Sequence, residues 1–98
     1  MYARVATFQG ADEAGVKAAV AAITSASGPP EGVESTGITV FADTSSGKVV
    51  VAGFFATREA LDRGHAALSK MSPPAGSFGE LVTVDLMEVV AQRSMPPG

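Results

Sequence analysis

Three side chains in this chain have the chemistry to act on a small molecule: His65, Arg4 and Tyr2. His65 is the only histidine and sits in "GHAALSKM", residues 64–71. An imidazole that titrates near neutrality could take a phenolic or enolic proton from a bound substrate, which makes His65 the candidate catalytic base. It also suits a plain structural role, burying its ring and bonding a nearby carbonyl or water. No acid beside it in the sequence would orient the ring as a triad does. Arg4 falls in the first strand of the chain, and an arginine there needs a partner. Asp85 or Glu88 in the last strand is expected to supply it. Otherwise its guanidinium could clamp an anionic or quinone-like oxygen, with the Tyr2 hydroxyl beside it. Phe54 and Met87 complete the candidate substrate-binding set. Together with Phe8, Phe41, Phe55 and Met71 they form either a core or an apolar wall suited to a flat hydrophobic ligand.

Other chemistries are poorly supplied. The chain has 98 residues, no cysteine and one histidine, so no thiol chemistry, zinc knuckle or metal-ligand cluster is expected. "GADEAGVK" follows a strand and opens a helix, but Val16 stands where a phosphate loop needs lysine, and Asp12 and Glu13 would repel phosphate. A helix cap is the better reading. The net charge is −3 and there is no basic run, so nucleic acid is not an expected partner. The apolar stretch Val49 to Ala56 is too short to span a bilayer, and no signal peptide is evident. No cofactor and no membrane partner are expected, and the cytoplasm is the expected location.

The elements that position these residues are readable in order. "YARVATF" is a strand ended by Gly10. Asp12 then caps a helix whose stripe is Val16, Ala19, Val20 and Ile23. "GPPEG" breaks it, and a second strand follows, clearest from Gly37 to Ala42. "DTSSG" is a turn into the third strand "KVVVAGFFA", so the pair should form an antiparallel hairpin. Thr57 caps the second helix, "REALDRGHAALSKM", with Leu61, Gly64, Leu68 and Met71 as its packed stripe. His65 lies about 40° from that stripe, at its border, given the ~100° advance per helical residue. Arg58–Asp62 and Glu59–Arg63 are expected ion pairs on the wet side. "SPPAGSFGE" is a connector, or a lid with Phe78 at its tip. "LVTVDLMEVVAQ" is the fourth strand.

The order β-α-β-β-α-β is the ferredoxin-like arrangement: an α+β fold with a four-stranded antiparallel sheet and both helices on one face. Residues 1–93 form this single domain, and 94–98 are a flexible tail. The second sheet face is the informative one. In strand three, Val49, Val51 and Phe55 oppose Val50, Ala52 and Phe54. In strand four, Val82, Val84, Leu86 and Val90 oppose Leu81, Met87 and Val89. Both faces are apolar where a lone sheet would leave one polar. Only 17% of residues are charged against 46% hydrophobic, which also points to covered surface. A homodimer through the sheet face is expected.

On "MYARVATF", the "GPPEG" break, "TSSGKVVVAGFFATREAL" and "DLMEVVAQ", the chain resembles the dimeric α+β barrel superfamily. Within it, the chain is most similar to small antibiotic-biosynthesis-monooxygenase-like proteins of the actinobacterial type. The resemblance implies two protomers packed sheet to sheet and a ligand cavity between sheet and helices. It also implies a monooxygenase-like activity, the cofactor-independent oxidation of a small hydrophobic aromatic substrate. The haem-degrading branch uses an asparagine, a tryptophan and a histidine, and this chain has neither Asn nor Trp. The alternative is a non-catalytic dimeric barrel that binds a small hydrophobic ligand or a protein partner.

Overall fold

Each helix starts where the sequence places an oxygen acceptor for its free backbone amides. A computed structural model describes residues 1–25, 28, 32–70 and 78–96. In it, Asp12 Oδ1 accepts from the Gly15 amide at 2.6 Å, and Thr57 Oγ1 accepts from the Ala60 amide at 3.1 Å. The helices they open are α1 (Glu13–Ser25) and α2 (Arg58–Lys70). The strands are β1 (Tyr2–Gln9), β2 (Ser35–Asp43), β3 (Lys48–Phe55) and β4 (Glu80–Glu88).

The strands pair antiparallel in the order β2-β3-β1-β4, the ferredoxin-like order. The β2–β3 hairpin closes through Asp43, whose carboxylate accepts from the Ser45 amide and hydroxyl. Those bonds from Ser45, with a further one from Ser46, hold the Asp43 carboxyl below its usual range.

Register decides which side chains meet the helices. On β1, Tyr2, Arg4, Ala6 and Phe8 face the helix layer, opposite Phe55, Gly53, Val51 and Val49 of β3. The apolar residues there fall into two groups. One is Val33, Phe55, Ala60 and Leu61, with Tyr2, Leu68 and Leu86 packed against it. The other is Ala11, Val16 and Val49, with Phe8, Val40, Val51 and Phe78 against it. The row through Arg4 and Gly53 lies between them. On α1, Val16 and Ala19 are buried, while Val20 is exposed.

The other face is more mixed than the alternation of β3 alone implies. Phe54, Ala52 and Val50 of β3 do line it, with Ala3 and Val5 of β1. But β2 brings Thr39 and Asp43 there, and β4 brings Thr83 and Asp85. A register shift between Thr7 and Phe8 changes the expected parity of β4: Leu81 sits opposite Phe8 on the helix side rather than with Met87. β4 also ends at Glu88, short of Val89 and Val90. The Val89 amide instead donates to the Met1 carbonyl at 2.9 Å.

Arg58 and Asp62 pair as expected, at 3.2 Å. Arg63 does not pair with Glu59. It reaches Glu34, just before β2, at 2.9 Å, an exposed pair worth little to stability. Residues 71–77, and with them Met71 and most of "SPPAGSFGE", lie outside the described residues, as do 97–98. Phe78 packs its ring on Phe8 with centroids 5.6 Å apart. Residues 94–96 are exposed and outside any helix or strand.

Gly79, at the entry to β4, has φ 87°. A Cβ there would overlap the Gln9 carbonyl oxygen and sit 2.9 Å from the Ala11 amide nitrogen. Gly79→Ala is therefore expected to cost about 2–3 kcal/mol, from the left-handed backbone and a clash with main chain that cannot swing away. Urea unfolding checks this. A loss under about 0.5 kcal/mol, the range of ordinary surface substitutions, would show that the junction yields.

Candidate functional site

Arg4 and His65, 61 positions apart in sequence, come together on the helix side of the sheet. The Arg4 Nε donates to His65 Nδ1 at 3.2 Å. β1 is a central strand and Arg4 is its second residue on the helix face, so the side chain rises under α2. His65 borders the buried stripe of Leu61 and Gly64, which turns its ring towards β1. Both residues are half-buried. Burial removes water from the guanidinium and lowers its pKa from the usual arginine value.

The hydrogen bond fixes the chemistry of the imidazole. Nδ1 accepts, so the ring's own proton in the neutral form sits on Nε2. In this arrangement the ring presents a donor, and proton abstraction would require Arg4 to leave Nδ1 first.

The expected partners of Arg4 lie elsewhere. Arg4 stands opposite Leu86 of β4, so Asp85, one residue away, points to the other sheet face, opposite Val5. Glu88 shares Arg4's face but stands opposite Tyr2, and it makes no ion pair with Arg4. Parity and a two-residue offset explain both misses.

The candidate binding residues divide across the sheet. Tyr2 is on the Arg4 side, with its ring against the cluster around Phe55 and Leu61. Phe54 and Met87 are on the opposite face, flanking Ala3. They cannot line one pocket with Arg4 and His65 within a single chain.

The residues beside Arg4 were not singled out by the sequence. Gly53 stands directly opposite it, and Ile38 of β2 stands opposite Gly53. Gly53 has no side chain to fill the row, and the nearest atom to a Cβ there would be on the Phe55 ring at an ordinary 3.7 Å. Ile38 is 49% exposed although it faces the helix side. The row Leu86–Arg4–Gly53–Ile38 thus sets one cationic side chain among apolar neighbours on the helix side, with Leu86 packed into the Phe55 cluster and Ile38 exposed. The signal in the sequence was the lone glycine inside "VVVAGFF", since a strand glycine often marks a place where something other than its own side chain must fit.

A concavity of about 160 Å³ opens at the hairpin end and is lined by Phe41, Ala42, Asp43, Lys48 and Val50. Its one carboxylate is already engaged by Ser45. Among the described residues, no three His, Asp or Glu side chains converge as a metal site would require. No described helix is long and apolar enough to cross a membrane.

Fold and site together define a small ferredoxin-like α+β protein with an arginine–histidine pair on the helix side of its sheet. No known family, curated protein or solved structure matches the chain.

Proposed function

We propose that this chain is a small-ligand-binding protein of the dimeric α+β barrel type, with two copies packed sheet to sheet. Each protomer holds a flat hydrophobic molecule beside Arg4, over Gly53 and Ile38. The observation that carries this reading is the Arg4–His65 hydrogen bond beside the glycine of β3 and the exposed Ile38 of β2. A cationic fork beside apolar neighbours suits a ligand with rings and a polar oxygen.

Binding is favoured over oxidation because the nitrogen that would take the substrate's proton is already accepting from Arg4. A geometry built for base catalysis would leave that nitrogen facing the substrate.

1-Naphthol is a suitable neutral probe. Titration followed by amide chemical shifts is expected to perturb Arg4, Gly53, Ile38 and His65 together. Shifts confined to Phe41 and Val50, or none at millimolar probe, would overturn the site. Oxygen uptake above the buffer rate with 1-naphthol or hydroquinone, lost in His65→Ala but kept in His65→Gln, would overturn the non-catalytic part.

A further inference from the structure

We propose that the free edge of the Arg4 guanidinium is a carboxylate site, and that the ligand is a small aromatic or otherwise apolar monocarboxylic acid. This rests on the binding reading above and narrows it to one ligand class.

The argument starts from an unbalanced charge. The chain carries net charge −3, so acids outnumber bases, yet this half-buried cation has no carboxylate within ion-pair distance among the described residues. Its one hydrogen bond there is to a neutral acceptor, through Nε. Guanidinium has five N–H donors in a rigid plane. The four on Nη1 and Nη2 have no protein acceptor among the described residues. No described side-chain nitrogen or oxygen is both buried and unpartnered, so these Nη groups are open to solvent rather than sealed in the core.

The geometry then selects the ligand. With Nε held by His65, the side-on fork of Nε and Nη is occupied. The end-on Nη1–Nη2 edge remains, and its two parallel donors match the two oxygens of one planar carboxylate. One cation balances one negative charge, which favours a monocarboxylate over a phosphate dianion. The apolar body of the acid would lie over Gly53 and against the exposed Ile38. His65 acts here as a positioning residue: it stops the guanidinium rotating about its side chain. Glu88 is the nearest acid on the same face of the sheet, diagonal to Arg4, and it is exposed. It opposes an incoming anion weakly through solvent.

The test compares 1-naphthoate with 1-naphthamide, which has the same rings and no charge, by calorimetry and amide shifts. The expected result is naphthoate binding at least about 10-fold tighter, as a charge-assisted pair warrants. Arg4→Met should reduce naphthoate to the naphthamide level, and Arg4→Lys, which keeps the charge without the fork, should weaken it several-fold. His65→Leu should weaken naphthoate several-fold while His65→Gln, which retains an acceptor for Nε, restores most of it. A purely structural role for His65 would not produce that rescue in affinity alone. Equal affinity for the two compounds overturns the carboxylate site but leaves the binding reading standing, provided 1-naphthol still binds. Naphthoate affinity that survives Arg4→Lys and Arg4→Met unchanged overturns it too. So does inorganic phosphate that displaces naphthoate at equal concentration. Failure of all three naphthyl probes to bind overturns both.

Discussion

Phe55→Ala is expected to lower the unfolding free energy by about 3–5 kcal/mol, a large part of the total for a domain of this size. Phe55 is 1% exposed and closes β3 against Leu61, Ala60 and Val33. Its ring reaches α2 at Gly64, where a Cβ would fall 2.6 Å from Cε2 and 2.8 Å from Cζ. The glycine is therefore part of the ring's socket. Ala is favoured over Gly inside a helix by about 1 kcal/mol, so Gly64→Ala should stabilise if the helix alone decided. It is expected instead to destabilise by about 1–3 kcal/mol, because the ring is buried on every side and cannot swing away. The two effects are coupled. In a Phe55→Leu background the Cε2 and Cζ atoms are gone, and Gly64→Ala should then be neutral or stabilising. Urea midpoints of the four proteins form the cycle, and a coupling of about 1 kcal/mol or more is expected. Strictly additive values would mean that the helix stands farther from β3 than the structure shows.

The same contact shows what the sequence could and could not reveal. Gly64 belonged visibly to the packed stripe of α2 because it recurs with Leu61 and Leu68 at helical spacing. Asp12, Thr57 and "DTSSG" marked the two helix starts and the hairpin through local chemistry, and those contacts are made. Local rules end there. Whether Arg4 faces Asp85 or Leu86 depends on the register between β1 and β4, two strands 70 residues apart with no turn between them to set it. A slip of one residue moves every side chain to the other face. The irregular register near Thr7 and Phe8 adds to this: no glycine or proline in "ELVTVD" announces it, and it is what moves Leu81 to the helix side. The Arg4–His65 bond depends on that long-range register and on the rotation of α2 together. Each residue was identifiable as a candidate, but their meeting was not.

Register also sharpens the expectation for assembly, which makes the sheet face the second place to look for a large effect. Phe41 is 58% exposed and Met87 47% exposed, on opposite edge strands of the face away from the helices. Between them Phe54, Val50 and Val5 are half-buried, and Ala3 and Ala52 are buried under these larger neighbours. A second copy laid on this face would cover both exposed residues at once, since an isologous interface uses each twice. The polar side chains there are short or at the margin: Thr7, Thr39 and Thr83 can satisfy a hydroxyl locally, while Asp43 and Lys48 stand opposite each other at the hairpin end. Asp85 is the exception. It stands on an edge strand, where it would remain wet at the rim or meet a threonine of the partner. Phe41→Lys together with Met87→Lys is therefore expected to convert a dimer to a monomer. Each buried aromatic or methionine anchor contributes about 2 kcal/mol when lost, and four sites change per dimer; such losses are not additive, and even about half of their sum raises the dissociation constant roughly a thousandfold. Sedimentation velocity from 1 to about 100 µM, a range that brackets ordinary stable dimers, reads the shift. The Arg4 amide should keep its naphthol response in the resulting monomer, because the proposed ligand site is on the helix side of the sheet. A parent chain already monomeric across that range would sink the dimer. Loss of the naphthol response on dissociation would instead mean that the partner copy completes the site.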